Sequence, residues 1–233
     1  MSLDSIVRLH QVKQFDEYFS TSNQAVAEKI PQHPGRILDI GCAEGALAEQ
    51  VMREKQPEAY DGIEVLAHVA EKAKTILTRV YVGSAEQIVP ELTSQSYDWV
   101  IMADSLEHMV DPWEMLRQVT RLLKPGGRLM LSIPNVRNLN VIIDLFLRGR
   151  WTYKPWGIMD QGHLRFFTRS SLQDLLTEQN YQIISCTSNP RNRWKRLPGK
   201  AAARVLSWLI GRPSAYEEFI TVQWIVEAKK SGA

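Results

Sequence analysis

The chain has 233 residues, 44% of them hydrophobic and 23% charged, with a formal net charge of +2. That length suits one large domain, and the composition excludes disordered, collagen-like and coiled-coil proteins. The longest apolar stretches, Val141 to Leu147 and Ala201 to Ile210, are broken by Asp144 and Arg204 and fall short of the ~20 residues that a membrane-spanning helix needs. Met1-Ser2-Leu3-Asp4-Ser5 carries an acid where a signal peptide carries basic residues, so no export signal is expected. Cys42 and Cys186 form no CxxC pair, which favours a reducing compartment, the cytoplasm, over a disulfide framework or structural zinc.

In chain order, a helical segment over 1–35 precedes a run of alternating strands and helices, the pattern of a doubly wound α/β sheet. The first strand, Arg36 to Ile40, follows the breaker Pro34-Gly35 and feeds the turn Gly41-Cys42-Ala43-Glu44-Gly45. Leu47, Ala48, Val51 and Met52 then mark a helix. Further strands are expected at Ala59 to Glu64, Val80 to Val82, Tyr97 to Ala103 and Arg128 to Pro134. Helices are expected at Leu66 to Leu77 and after Asp111-Pro112-Trp113-Glu114, which supplies an N-cap acid and a proline at the first helical position. Asn135 to Phe167 breaks the rhythm with an apolar stretch and an aromatic, glycine-containing loop. A Thr168-capped helix to Gln179, a strand at Tyr181 to Ser188, a basic helix at about Lys200 to Ile210 and a last strand at about Glu218 to Ala228 complete the reading.

The glycine turn sets backbone N–H groups and a helix N-terminus at the carboxyl edge of the sheet, where ligands collect. Glu64 lies 23 residues after Gly41, the spacing at which a carboxylate accepts hydrogen bonds from ribose hydroxyls. Together they point to an adenosyl cofactor. Glu44, inside the turn, suits a cationic cofactor better than an anionic pyrophosphate.

Leu38-Asp39-Ile40-Gly41-Cys42-Ala43-Glu44-Gly45 resembles the first motif of class I S-adenosylmethionine-dependent methyltransferases. Gly62-Ile63-Glu64, Gly83-Ser84-Ala85-Glu86, Asp98 to His108 and Leu123-Lys124-Pro125-Gly126-Gly127 resemble that family's later motifs in order. Pro134-Asn135-Val136, Gly149-Arg150-Trp151, Gly157-Ile158-Met159-Asp160 and His163 to Thr168 are similar to a bacterial methyltransferase subgroup whose members often accompany glycosyltransferases. The resemblance implies one domain over 1–233 with a Rossmann-like, doubly wound seven-stranded sheet, mostly parallel with an antiparallel last strand, and a lid-like insertion at about 135–168. It implies S-adenosylmethionine as cofactor, held by Asp39, Gly41, Cys42, Ala43, Gly45, Glu64, Ser84, Ala85, Glu86, Ala103 and Asp104. Two departures weaken the grip: Ala43 stands where the family has glycine, and Ser84 where it has aspartate.

His108 and His163 are the candidate general bases for an oxygen nucleophile, while Trp151, Tyr153 and Trp156 offer faces to an acceptor or pack the lid. O-methylation of a small-molecule or glycan-linked acceptor is the expected reaction. Nitrogen or carbon methylation of a metabolite, and a non-catalytic protein that keeps the adenosyl pocket, stay open. No metal is expected, because the chain shows no compact His and carboxylate ligand set. Nucleic acid is not an expected partner either, since Ala103-Asp104-Ser105-Leu106 lacks the Asn/Asp-Pro-Pro-aromatic motif of adenine methyltransferases. Arg191, Arg193, Lys195, Arg196, Lys200, Arg204 and Arg212 form a basic block without an acid, which offers a contact for an anionic partner or lipid phosphate and a seat at the inner membrane surface.

Overall fold

A computed structural model describes residues 22–189 and 197–230. Arg191, Arg193, Lys195, Arg196 and the first 21 residues of the expected N-terminal helical segment lie outside the described residues.

Seven strands form one sheet: β1 (Arg36–Ile40), β2 (Ala59–Glu64), β3 (Arg79–Val82), β4 (Tyr97–Ala103), β5 (Leu123–Pro134), β6 (Tyr181–Ser188) and β7 (Gln223–Lys230). Their spatial order is β3-β2-β1-β4-β5-β7-β6, with β7 antiparallel to both neighbours and every other pairing parallel. This is the doubly wound sheet with an antiparallel last strand that the motifs implied. The central strands are buried on both faces, and their period of two sorts residues into two cores. Leu38, Ile40, Val100 and Met102 join one cluster, while Ile37, Trp99 and Ile101 join the other.

The helices α1 (Gln24–Ala27) and α2 (Ala46–Lys55) cover one face, and α5 (Pro112–Leu122) and α7 (Arg169–Glu178) cover the other. The shorter helices α3 (Ala67–Ala73) and α4 (Ala85–Ile88) follow β2 and β3. α5 starts where the sequence says it must: Asp111 accepts a hydrogen bond from the Glu114 amide at 2.9 Å, Pro112 occupies the first turn, and Met115, Leu116, Val119 and Leu122 are buried at helical spacing. Each such side chain stabilises the fold by roughly 1.5–3 kcal/mol. Thr168 caps α7 through a reciprocal pair with Ser171.

Three boundaries differ from expectation. α3 ends at Ala73 instead of Leu77, because Leu77 leaves the helix to pack over the Cα atoms of Gly45 and Gly62, where an added Cβ would approach it within 2.8 and 2.4 Å. β5 begins at Leu123, which pairs with Tyr97 before a register shift, so the Lys124 to Gly127 turn is absorbed into the strand as an irregularity. Residues from Glu218 to Ile220 belong to a helix, α9 (Ala215–Ile220), rather than to the last strand.

Between β5 and α7 the chain forms α6 (Leu139–Arg148) and then a long exposed stretch. α6 shares a satellite core with α8 (Leu197–Leu209) and α9, built from Leu139, Ala203, Ala215, Phe219 and Ile220. Two buried asparagines tie this segment to the C-terminal end of α9: Asn135 Nδ2 donates to the carbonyls of Glu218 (2.7 Å) and of the C-cap Thr221 (2.9 Å), and Asn138 Nδ2 donates to that of Thr221 (3.0 Å).

Candidate functional site

The loops at the carboxyl ends of β1, β2, β3 and β4, together with the inserted segment, enclose a cavity of ≈ 490 Å³, within the range of small-molecule sites. Its floor is the turn after β1. Gly41 has φ +86°, and a Cβ there would stand 2.9 Å from the Ser105 side chain, so only glycine fits. Ala43 adopts φ +48°, a left-handed conformation that explains why glycine is usual at this position and that costs about 1 kcal/mol here. Gly45, with φ +89°, starts α2 and packs under Leu77 instead of lining the cavity. The Cys42 thiol is buried, and burial together with the nearby Asp39 and Glu64 carboxylates pushes its pKa up, which makes it inert.

Two acids line this end. Asp39, 2% exposed, accepts a hydrogen bond from the Tyr60 hydroxyl at 2.9 Å through Oδ2, while Oδ1 is buried with no hydrogen-bond partner among the described residues. Burial pushes its pKa up to about 7; the Tyr60 bond opposes the rise, and the Glu64 charge adds to it. Glu64 accepts from the Ala43 amide (3.1 Å) and the Leu66 amide (2.8 Å), one on each oxygen, so it pins the glycine turn to the end of β2. Burial also raises its pKa, against the pull of those amides. A carboxylate oxygen carries two lone pairs, so each oxygen retains capacity toward a ribose hydroxyl. An orphaned carboxylate oxygen beside this acid suits the ammonium of an aminoacyl-bearing cofactor, and the residues present therefore fit S-adenosylmethionine.

The segment expected beside the adenine is placed differently in its side chains. Ser84 caps α4 by accepting from the Glu86 amide at 3.3 Å. Glu86 Oε1 accepts from the amides of Val110 (2.9 Å) and Asp111 (3.3 Å), so its carboxylate braces the loop after β4. Both residues and Ala85 still line the cavity.

After β4, Ala103 gives way to Asp104, at φ +57°. The Asp104 carboxylate accepts from Asn23 Nδ2 (3.4 Å), the Ser132 hydroxyl (3.4 Å) and Gln223 Nε2, and Gln223 in turn accepts from Asn189 Nδ2 at 2.7 Å. Asn23, Gln223 and Asn189 are site residues that sequence reasoning missed; they lie in segments distant along the chain and carry no motif.

His108 and His163, 55 residues apart, meet edge to face with ring centroids 4.8 Å apart. His108 Nδ1 lies 2.8 Å from the Gly162 carbonyl, and His163 Nδ1 lies 3.0 Å from that of Ile158. A carbonyl only accepts, so both Nδ1 atoms carry hydrogen, and the basic lone pair of either neutral ring is on Nε2. Gly162 leaves room for this: a Cβ there would press on the His108 ring at 3.2 Å. Glu107, 1% exposed, sets a carboxylate oxygen 3.8 Å from His163 Nε2. The sequence showed no compact His and carboxylate set, but folding assembles one, with one ligand atom from each of Glu107, His108 and His163 within 4.8 Å of the others. Trp151 and Tyr153 pack around Phe166, at 5.1 and 6.2 Å between centroids, which favours their packing role.

The model of the methyltransferase domain family matches residues 10–186. A ubiquinone biosynthesis O-methyltransferase of Xanthomonas oryzae pv. oryzae is 36% identical over 144 residues, covering 56% of this chain and 60% of the relative. A protein of the same name from Xanthomonas campestris pv. campestris is 36% identical over 114 residues, covering 47% of each. The match thus spans less than two thirds of the length of these curated relatives. Among solved structures, an Archaeoglobus fulgidus S-adenosylmethionine-dependent methyltransferase superposes with TM-score 0.64 at 18% identity, covering 93% of this chain and 98% of the other. A Thermotoga maritima methyltransferase described as a possible histamine N-methyltransferase superposes with TM-score 0.62 at 20% identity, covering 98% of this chain and 95% of the other. At those identities the likeness is one of fold.

Proposed function

The chain belongs to the class I S-adenosylmethionine-dependent methyltransferase family, and from that premise we propose that it moves a methyl group onto an oxygen of a small-molecule or glycan-linked acceptor. One observation carries the reading: one cavity is lined both by two buried acids, Asp39 and Glu64, and by two histidines, His108 and His163. The name of the curated relatives supports oxygen as the accepting atom.

When bound, S-adenosylmethionine supplies a methyl carbon activated by its sulfonium for in-line displacement, so alignment is most of the catalytic task. Asp39 would hold the amino group through Oδ1, Glu64 the ribose hydroxyls, and the start of α4 at Ser84 and Ala85 the adenine. An alcohol or phenol must lose its proton as it is methylated, and His108 is the base we assign, receiving that proton at Nε2. His163 is nearly fully buried, with Nδ1 on Ile158 and Nε2 beside Glu107, and acts as a positioning residue against the His108 ring. The buried Glu107 carboxylate has an oxygen within 4.8 Å of a nitrogen of each ring, an anion beside the pair that takes up the proton.

His108→Ala is expected to lower kcat by roughly 10²-fold or more while leaving S-adenosylhomocysteine affinity, read by calorimetry, unchanged. An unaltered kcat would move the reading to nitrogen or carbon methylation. In this scheme Glu107, His108 and His163 handle a proton, so dialysis against EDTA should not change turnover. A loss restored by a divalent cation would reassign the three as metal ligands. Cofactor binding without transfer to any of a panel of phenols, sugars and glycolipids would identify a non-catalytic binding protein.

A further inference from the structure

Methyl transfer does not account for the surface formed by α6, the stretch that follows it, and the end of α8. Each of these helices buries an inner face in the satellite core, α6 through Leu139, Ile142 and Ile143 and α8 through Ala203 and Leu206. An ordinary surface helix would then turn polar groups outward. These two turn bulky apolar groups outward: Phe146 is 84% exposed and Trp208 76%, and Leu147 and Leu209 are exposed beside them. Among the described residues, ten of the thirteen exposed large hydrophobic side chains fall within 145–156 and 205–210. Such a concentration marks an interaction surface, since monomeric soluble proteins scatter their exposed apolar groups.

The charges on the same segments identify the occupant. Residues 139–156 and 197–212 contain six cations, Arg148, Arg150, Lys154, Lys200, Arg204 and Arg212, and one acid, Asp144, which is paired with Arg148 at 2.5 Å. Apolar groups interleaved with Lys and Arg, with Trp151, Tyr153 and Trp156 at one end, are what a helix lying in an anionic lipid interface requires. A second copy fits poorly, because a two-fold contact brings the same patch against itself and would press these cations together. Directly after the exposed stretch, Gly157 and Ile158 line the cavity. We propose that residues 145–156 and 205–212 seat the protein on an anionic phospholipid bilayer, and that the acceptor is an amphipathic or lipid-linked molecule presented from that bilayer. The second half of the proposal rests on the methyl-transfer reading; the first does not.

The test is co-sedimentation of the full chain with vesicles of phosphatidylcholine alone or mixed with phosphatidylglycerol. The wild type should pellet with the mixed vesicles, and raised salt should weaken this. The double variant Phe146→Ser/Trp208→Ser, which alters two exposed side chains and leaves the core intact, should lose at least about tenfold in partitioning; so should Arg150→Glu/Arg212→Glu. Equal pelleting with both vesicle types, or none, would overturn the docking surface. A dimer by light scattering that the serine variant dissociates would replace it with self-association. S-adenosylhomocysteine calorimetry on the same samples separates the two halves: docking without cofactor binding would sink the methyl-transfer reading and leave the surface standing. With both intact, stimulation of transfer by mixed vesicles is the expected result, and no stimulation with any membrane-soluble acceptor would refute presentation from the bilayer.

Discussion

Asp39 is the residue whose environment most sharply limits what the pocket accepts. Folding raises its pKa from 3.8 to about 7, so the folded chain holds the proton more tightly than the unfolded chain. The stability tied to this group is full below about pH 4, declines as pH rises through the interval between the two values and is level above about pH 7. The span is roughly 4 kcal/mol. Asp39→Asn should flatten that slope in urea melts and stabilise the empty protein at about pH 8. Binding has the opposite sign, because an ammonium needs the ionised acid. S-adenosylhomocysteine affinity should climb up to about tenfold per pH unit below 7 and then level off. The same climb in the asparagine variant would locate the titrating group elsewhere. Asp39, Glu64 and the two histidines were legible from the chain because each sits at a strand end or beside a local motif. The side-chain roles of Glu86 and Ser84 were not, since a sequence does not say that the 110–111 amides will fold back onto one and that the other will cap a four-residue helix. Glu107 escaped for a related reason: it became significant only when a residue 56 positions later was brought beside it.

The elements divide along the same line. β1, β2 and β4 were readable to the residue because central strands of a parallel sheet are near-continuous apolar runs flanked by glycine or acid. α9 was misread because Phe219-Ile220-Thr221-Val222 has the composition of a strand, while its actual determinants are long-range: Ala215, Phe219 and Ile220 bury against α6 and α8, and the Glu218 carboxylate pairs with Arg137 at 2.7 Å. The inserted segment likewise depends on two asparagines more than on local propensity. Asn135 is fully buried and satisfies two carbonyls, so Asn135→Ala leaves both without that donor and should destabilise the fold by about 2–4 kcal/mol, seen as a lower urea midpoint with an unchanged slope. Because the acids of the cofactor end lie on β1 and β2, S-adenosylhomocysteine affinity below the midpoint should be unaffected. A parallel loss of affinity would mean that the anchor also shapes the cofactor end.

At the scale of the molecule, the two cores on opposite faces of one sheet make the strand ends a shared rigid edge, and the cavity sits where that edge meets the inserted segment, which packs partly on the satellite core. Among the described residues no helix is long and apolar enough to cross a membrane. A ligand in the cavity touches the turns after β1, β2, β3 and β4 at once and therefore ties together elements from both layers. Binding to the native state alone stabilises by mass action: at a hundredfold excess over Kd the gain is about 2.7 kcal/mol, and a domain of this size moves about 2–4 °C per kcal/mol. S-adenosylhomocysteine should thus raise Tm by roughly 5–10 °C in a calorimetric scan. Glu64→Ala should abolish the shift at the same ligand concentration, because it removes the acid we propose for the ribose and, with it, the two amide bonds that fix the glycine turn. A full shift in that variant would show that the cofactor reaches the sheet edge without the β2 acid.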